Sequence, residues 1–365
     1  MNRRDFFSWT MLNLFFSGNS HLYAKKKPEF VYKIGSAITS GNSNYFCIFN
    51  CLGYELIKIK LPFRAHDSLY ISDLQKFVVI SRRPGSEFIV FDLKDKTKTK
   101  LIKAPKGRHF YGHGAYSRTS NLLFLTENHH YYSDDRSGSI GIYDPFRDFR
   151  RVGEFQTYGI GPHEIKIAKN GKLIIANGGI LTHPDFPRVK LNLSDINSNL
   201  SIISQTNGKL QKQFKLRKEY KDFSIRHFDT KESEILAGCQ TYNRSKNKTL
   251  STVFKCNLEK LTFFKIPNNY QKFDNYVGSI KVLSNKNLVY ASFPRSGYVL
   301  AWNINTHKLT SSHRKFDVCG LAQVPRNELM LASSGKGAIQ NLSGYQKNLF
   351  IKEKYQFDNH LLTFI

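Results

Sequence analysis

Three features of this sequence predict an all-β fold, a seven-bladed β-propeller of four-stranded antiparallel blades. They are a recurring anchor, the strand–turn–strand phrase that follows it, and one blade divided between the two ends of the chain. The anchor is clearest in Tyr111-Gly112-His113-Gly114. It returns as Arg64-Ala65-His66-Asp67, Gly161-Pro162-His163-Glu164, Ile225-Arg226-His227-Phe228 and Asp358-Asn359-His360-Leu361, and without histidine at Gly278 and Cys319. Successive anchors lie 47, 50, 64, 51, 41 and 41 residues apart, counted between positions 66, 113, 163, 227, 278, 319 and 360. A period of about 40–50 residues with short strands and no helical pattern is that of propeller blades.

Each anchor opens a short apolar strand, a polar turn and a second strand rich in Val, Ile and Leu. His163 leads into Ile165-Lys166-Ile167, the turn Asn170-Gly171, then Lys172 to Ala176. Gly278 leads into Ile280 to Leu283, then Leu288 to Ala291. Such alternation broken by Asn, Gly and Asp is the pattern of antiparallel hairpins.

Residues 1–24 stand apart from residues 25–365, which carry the propeller. Arg3-Arg4 precedes an apolar run from Phe6 to Phe16 that is too short to span a bilayer, and Ala24 offers a cleavage point. Twin arginines in that setting predict export by the twin-arginine pathway to the periplasm. The rest of the chain contains no apolar stretch long enough for a membrane span, and a monomer is expected.

Strands expected at Phe30–Ile34, Tyr45–Phe49 and Glu55–Leu61 lack a His-led opening strand, and His360–Ile365 is an opening strand with nothing after it. Joining them completes the seventh blade and closes the ring, which removes exposed sheet edges. Blade three carries an insertion from Thr182 to about Asn199, and blade two a polar excursion from Asn128 to Asp135. Loops that outgrow a repeat commonly carry binding function.

Hydrophobic residues at 40% and aromatics at 14% suffice for a core between stacked blades. Five cysteines, an odd number, do not suggest a disulfide framework; most read as small buried residues, with one pair open to oxidation after export. The net charge of +27 would suit nucleic acid, but the lysines are spread through turns and outer strands, and no nucleic-acid motif accompanies them. An anionic surface or an acidic partner fits that charge better.

The ordered motifs Tyr111 to Gly114, Thr126-Glu127-Asn128, Gly159 to Glu164, Ala176 to Ile180, Thr182 to Asp185, Lys190 to Leu193, Ser224 to His227, Asn275 to Ser279 and Asp358 to Leu362 resemble the exported propellers of domain-of-unknown-function family 1513. The resemblance covers nearly all of residues 25–365. It implies a fold like quinoprotein-type and WD-repeat-like propellers. Because such genes sit near imelysin-like ones, it also implies a periplasmic role in iron acquisition with an imelysin-like partner. It implies no agreed activity.

In a propeller the start of each first strand and the end of each second strand meet at one channel mouth. The first set holds His66, His113, His163, His227 and His360. The second holds Arg82, Arg83, Glu127, Asn128, Asn177, Gln240, Arg295 and Lys336, with His183 and Asp185 of the insertion nearby. Convergent polar groups in a concave site are the first place to look for a ligand.

A single Gly-His pair can merely hold a WD-type blade together. The Trp-Asp partner of such blades is missing, however, since Trp302 is followed by Asn303. Five imidazoles at one blade position, with Glu127 or Glu164, suit iron or another transition metal. Glu164 and Asp67 adjoin histidines on strands and are expected to serve neighbouring histidines. Alternatively the ring grips haem or an anionic ligand together with Arg83, Arg226 and Arg295; these, with Asn128, Asn177, His183, Asp185 and Gln240, are the expected ligand-binding groups. A metal-dependent lyase or hydrolase using His163 with Glu164 or His227 with Glu127 is the alternative, and a protein-interaction scaffold the third reading. No hydrolase elbow, HExxH helix or phosphate loop appears.

Overall fold

The computed structural model describes residues 31–95, 97–129, 138–186, 189–242, 250–257, 260–267, 276–343 and 349–365. Residues 1–24, read from the sequence as an export signal, and most of the blade-two excursion lie outside them. Tyr32–Ile365 forms a seven-bladed propeller of antiparallel sheets. Its inner strands, in order, are Ala65–Ile71, Arg108–Ser117, Pro162–Ile167, Phe223–Lys231, Ser279–Leu283 and Val318–Gln323. The seventh blade takes its inner edge from the C-terminus: Gln356–Phe357 and Leu362–Phe364 both pair with Lys33–Ser40, which continues into Ser43–Asn50 and Glu55–Leu61.

The opening strand lies further along than expected, at Lys33–Ser40 instead of Phe30–Ile34. Its Gly35, Ser36 and Ala37, just past the expected strand, pair with Ile48, Cys47 and Phe46. Small residues are needed there: a Cβ on Gly35 would stand 2.9 Å from the Phe46 ring.

Alternate residues of each strand enter the space between blades, as a pleated sheet requires. Phe46, Phe77, Phe91 and Phe364 meet where the last blade joins the first. The Phe77 ring lies 5.0 Å from that of Phe91 and 5.2 Å from that of Phe364. Between blades four and five, Trp302 is fully buried and donates its indole N–H to the Lys265 carbonyl at 3.0 Å. All five cysteines are buried and free. Among the described residues no helix is long and apolar enough to cross a membrane.

Candidate functional site: a histidine cluster in the channel

The repeated anchor is a break in the strand ladder. Pairing between first and second strands skips His66 in blade one, Tyr111 to His113 in blade two, His163 in blade three, Arg226 in blade four and Cys319–Gly320 in blade six. In blade seven, Asp358–Leu361 interrupts the inner edge. A bulge unpairs one residue, bends the strand and re-aims its side chain. Here that places histidines of five consecutive blades in the channel.

The five imidazoles form one packed cluster. Ring centroids lie 4.6 Å apart for His66–His360, 4.7 Å for His113–His360 and His163–His227, 4.8 Å for His66–His113, and 4.9 Å for His227–His360. The last pair spans the ring, so the side chains fill the bore at this level. The bulges bring the rings to the axis. Blades five and six contribute Gly278 and Cys319, whose Sγ would be 2.7 Å from a Cβ on Gly278.

Burial, reinforced by the neighbouring imidazoles, holds His66, His163 and His360 well below the ordinary imidazole pKa. His227 is lowered by burial too, although its bond to Glu164 pulls the other way. His66 Nδ1, His113 Nε2, His163 Nδ1 and His360 Nε2 are buried without hydrogen-bond partners. Four such orphans together are unusual, because buried polar groups are normally satisfied. Two triplets have ligand atoms within 4.8 Å of one another: His66, His113 and His360; and His113, His163 and His227.

Each carboxylate beside a histidine serves the next blade. Asp67 Oδ2 lies 2.9 Å from His113 Nδ1, and Glu164 Oε2 lies 3.0 Å from His227 Nδ1. Burial pushes the Asp67 carboxyl up, but the bond and charge of His113 outweigh it and bring its pKa to about 2. Glu164 also accepts from the Phe228 N–H at 3.1 Å. It is therefore a partner of His227 and belongs to neither triplet.

Two or three residues further along the inner strands lies a second charged layer. Lys166 Nζ stands 2.8 Å from Asp229 Oδ1 and 3.5 Å from Glu164 Oε1. Lys281 is held below its usual pKa by Lys166 and by burial. With Asp229, Gln323 and Thr363 it lines an open pocket on that side. This layer was not anticipated, though Lys166 and Lys281 each fall three positions past an anchor.

On the other side of the cluster the mouth carries arginines and tyrosines. Arg226 is buried; its Nη2 donates to Gln240 Oε1 at 3.0 Å and to the Tyr242 hydroxyl at 2.9 Å. Arg83 lies over the Tyr111 ring at 5.2 Å, and Arg295 over Tyr276 at 5.2 Å. Arg64 and Arg82 both bond Asp358, at 2.6 and 3.1 Å. The three tyrosines were not anticipated as site residues, although Tyr111 and Tyr276 each stand two positions before an anchor.

Several expected site residues lie elsewhere. Glu127 is fully buried in blade two, where its carboxylate accepts from the Tyr143 hydroxyl at 2.9 Å and Arg151 at 3.0 Å. Asn177 is tied inside blade three to the Thr157 carbonyl and to Asn199 Oδ1, both at 2.9 Å. Both residues sit on second strands, one strand spacing from the axis, where side chains point between blades and not into the channel. Asn128 reaches the Thr182 carbonyl at 3.4 Å and tethers the blade-three insertion. His183 and Asp185 face each other on that insertion, Nδ1 to Oδ2 at 3.5 Å, and are in neither triplet.

Comparison with solved structures shows the fold alone. A Kuenenia stuttgartiensis hydrazine synthase chain is similar at 13% identity and a TM-score of 0.62, over 84% of this chain and 94% of that one. A functionally unknown protein from Desulfotomaculum acetoxidans is similar at 12% identity and a TM-score of 0.59, over 91% of this chain and 98% of that one. No curated protein matches. Residues 59–364, from the outer strand of the shared blade to its closing strand, match the family described as "Protein of unknown function (DUF1513)", and the chain belongs to that family.

Proposed function

We propose that the histidine cluster binds one transition-metal ion, in a protein exported to the periplasm. The observation that carries this reading is the set of four buried imidazole nitrogens without partners, in a cluster where carboxylates orient His113 and His227. A ligating histidine typically donates its other ring N–H to a carboxylate, which fixes its tautomer and raises its basicity. Asp67 does this for His113 and Glu164 for His227. Low proton affinity at His66, His163 and His360 also favours binding, since a ligand imidazole must be neutral.

The stoichiometry follows from His113. Its Nδ1 is engaged by Asp67, which leaves Nε2 alone for a metal, and both triplets need His113. One imidazole nitrogen holds one ion, so the two triplets cannot be filled together. Bond lengths of about 2.0–2.1 Å imply ligand separations of roughly 3.4 Å around a tetrahedral ion. Ligand atoms of a triplet, within 4.8 Å of one another, would close to that spacing around an ion. Imidazole donors suit zinc, copper, iron and nickel.

The test is elemental analysis of protein recovered from its native export route. About one transition-metal ion per chain is expected. His113→Asn keeps a donor near Asp67 but removes the shared ligand; it is expected to lose the metal with little change in the melt of the metal-free protein. Wild-type protein that carries no metal and takes none up on dialysis against zinc, copper or iron salts would refute the reading.

A further inference from the structure

Two cations at the channel mouth lack the counter-charge that their surroundings demand. Arg226, on the inner strand of blade four, is buried and bonded only to neutral oxygens, those of Gln240 and Tyr242. Arg83 projects from the turn after the second strand of blade one. One face of its guanidinium is against Tyr111, and Nη1 is buried with no partner. Its electrostatic neighbours include Arg226, Tyr111 and Tyr242, so it reaches across the mouth towards blade four. Among the described residues neither arginine pairs with a carboxylate. Arg64 and Arg82 at the same mouth, by contrast, share Asp358.

A buried charge without a partner is costly, and two of like sign facing each other cost more. Arginine forks match carboxylate and phosphate oxygens, and tyrosine hydroxyls and ring faces complete such sites. Arg226 directly precedes the ligand candidate His227 and is felt electrostatically at His163 and His227. An anion held by the pair would therefore sit beside the histidine cluster.

The charge of the whole molecule points the same way. A bare cation approaching the histidines from this side must pass the arginines of a protein with a net charge of +27. An anionic complex is drawn in by the same field. We infer that Arg83 and Arg226 form an oxyanion subsite, and that the metal reaches the histidine cluster through this mouth as the complex of a small polycarboxylate. The inference rests on the metal reading and adds the form in which the metal arrives.

The sign of one effect tests it. Citrate competes with any protein that takes a bare metal ion, and so weakens apparent binding. A protein that takes the complex binds more tightly when citrate is present. Calorimetric titrations of the full-length protein with Co(II) alone, citrate alone, inorganic phosphate alone and equimolar Co(II)–citrate separate these cases. Citrate is expected to tighten Co(II) binding by about tenfold or more, a common coupling strength. Arg83→Gln and Arg226→Gln should weaken citrate binding roughly ten- to hundredfold, the usual size of a lost charged hydrogen bond, without weakening the binding of Co(II) alone, which loses a repulsive neighbour. Arg226→Lys should recover part of the loss. His113→Asn should abolish Co(II) binding and keep that of citrate.

Citrate that weakens Co(II) binding in the wild type overturns the inference and leaves the metal reading standing. So do arginine variants that bind citrate like the wild type with unchanged melts. Binding of phosphate but not citrate makes the pair a phosphate site and overturns the polycarboxylate form. Citrate binding without any Co(II) binding refutes the metal reading instead.

Discussion

At the scale of residues, the site is defined by what each imidazole can and cannot exchange with its surroundings. His66, His163 and His360 are disfavoured as cations chiefly because they are buried, with like groups beside them. Their folded pKa values lie below the ordinary value of 6.5, so below that pH the unfolded chain binds more protons than the folded one. Stability is then full above about pH 7 and falls as pH drops through 6.5 towards the folded values. Asp67 adds in the same direction, since a depressed carboxylate loses its contribution as pH falls towards 2. Melting curves of metal-free protein between pH 7.5 and 5 should show a progressive drop, smaller in the double variant His66→Gln, His163→Gln. A melting temperature independent of pH across that range would be incompatible with neutral buried imidazoles. The five histidines were legible in the sequence because each stands at one point of the repeat. Asp67 and Glu164 were legible as neighbours of those histidines. Glu127 and Asn177 misled because a polar residue near the end of a second strand looks the same in sequence whether it faces the axis or the next blade.

At the scale of elements, the bulge joins sequence to site. The anchor was visible, and so were the strands on both sides of it. That the ladder skips a residue there was not visible, because the alternation of apolar and polar residues carries no register where buried residues are polar. Blade two shows what the irregularity requires. Gly112 adopts φ +102, and a Cβ there would stand 2.6 Å from His66 Cδ2. Gly112→Ala therefore combines backbone strain of about 1–3 kcal/mol with displacement of a neighbouring imidazole. It is expected to lower stability and to lose the metal. Gly41→Ala is the control, since Gly41 has φ +56 and a Cβ there would meet nothing within 4 Å. It should cost about 1 kcal/mol and retain the metal. Equal metal content in the two variants would show that the Gly112 turn does not position the cluster.

At the scale of the whole molecule, the ring closes through the segment that also delivers a histidine. The split blade was legible from the unmatched halves at the two ends of the chain, and Leu362–Phe364 does pair with Lys33–Gly35. Closure and site are coupled there. Deleting residues 360–365 removes a ladder segment, exposes backbone donors and acceptors on Lys33–Gly35, and takes away the Phe364 ring that packs on Tyr70 and Phe77. Aggregation or a large fall in melting temperature is expected. Two point variants separate the contributions. Phe364→Ala leaves the strand but opens a cavity between blades seven and one, a loss of about 3–5 kcal/mol by the usual cost of such truncations. The metal should remain bound at temperatures where the ring stays closed. His360→Ala leaves the strand and the Phe364 packing, so the melt of the metal-free protein should fall less than in Phe364→Ala while the triplet with His66 and His113 is broken. His163 and His227 would still complete the other triplet with His113, and metal affinity should fall without vanishing. A truncation as stable as the full chain would remove the case for closure; a His360→Ala variant with unaltered affinity would assign the metal to the triplet of His113, His163 and His227 alone.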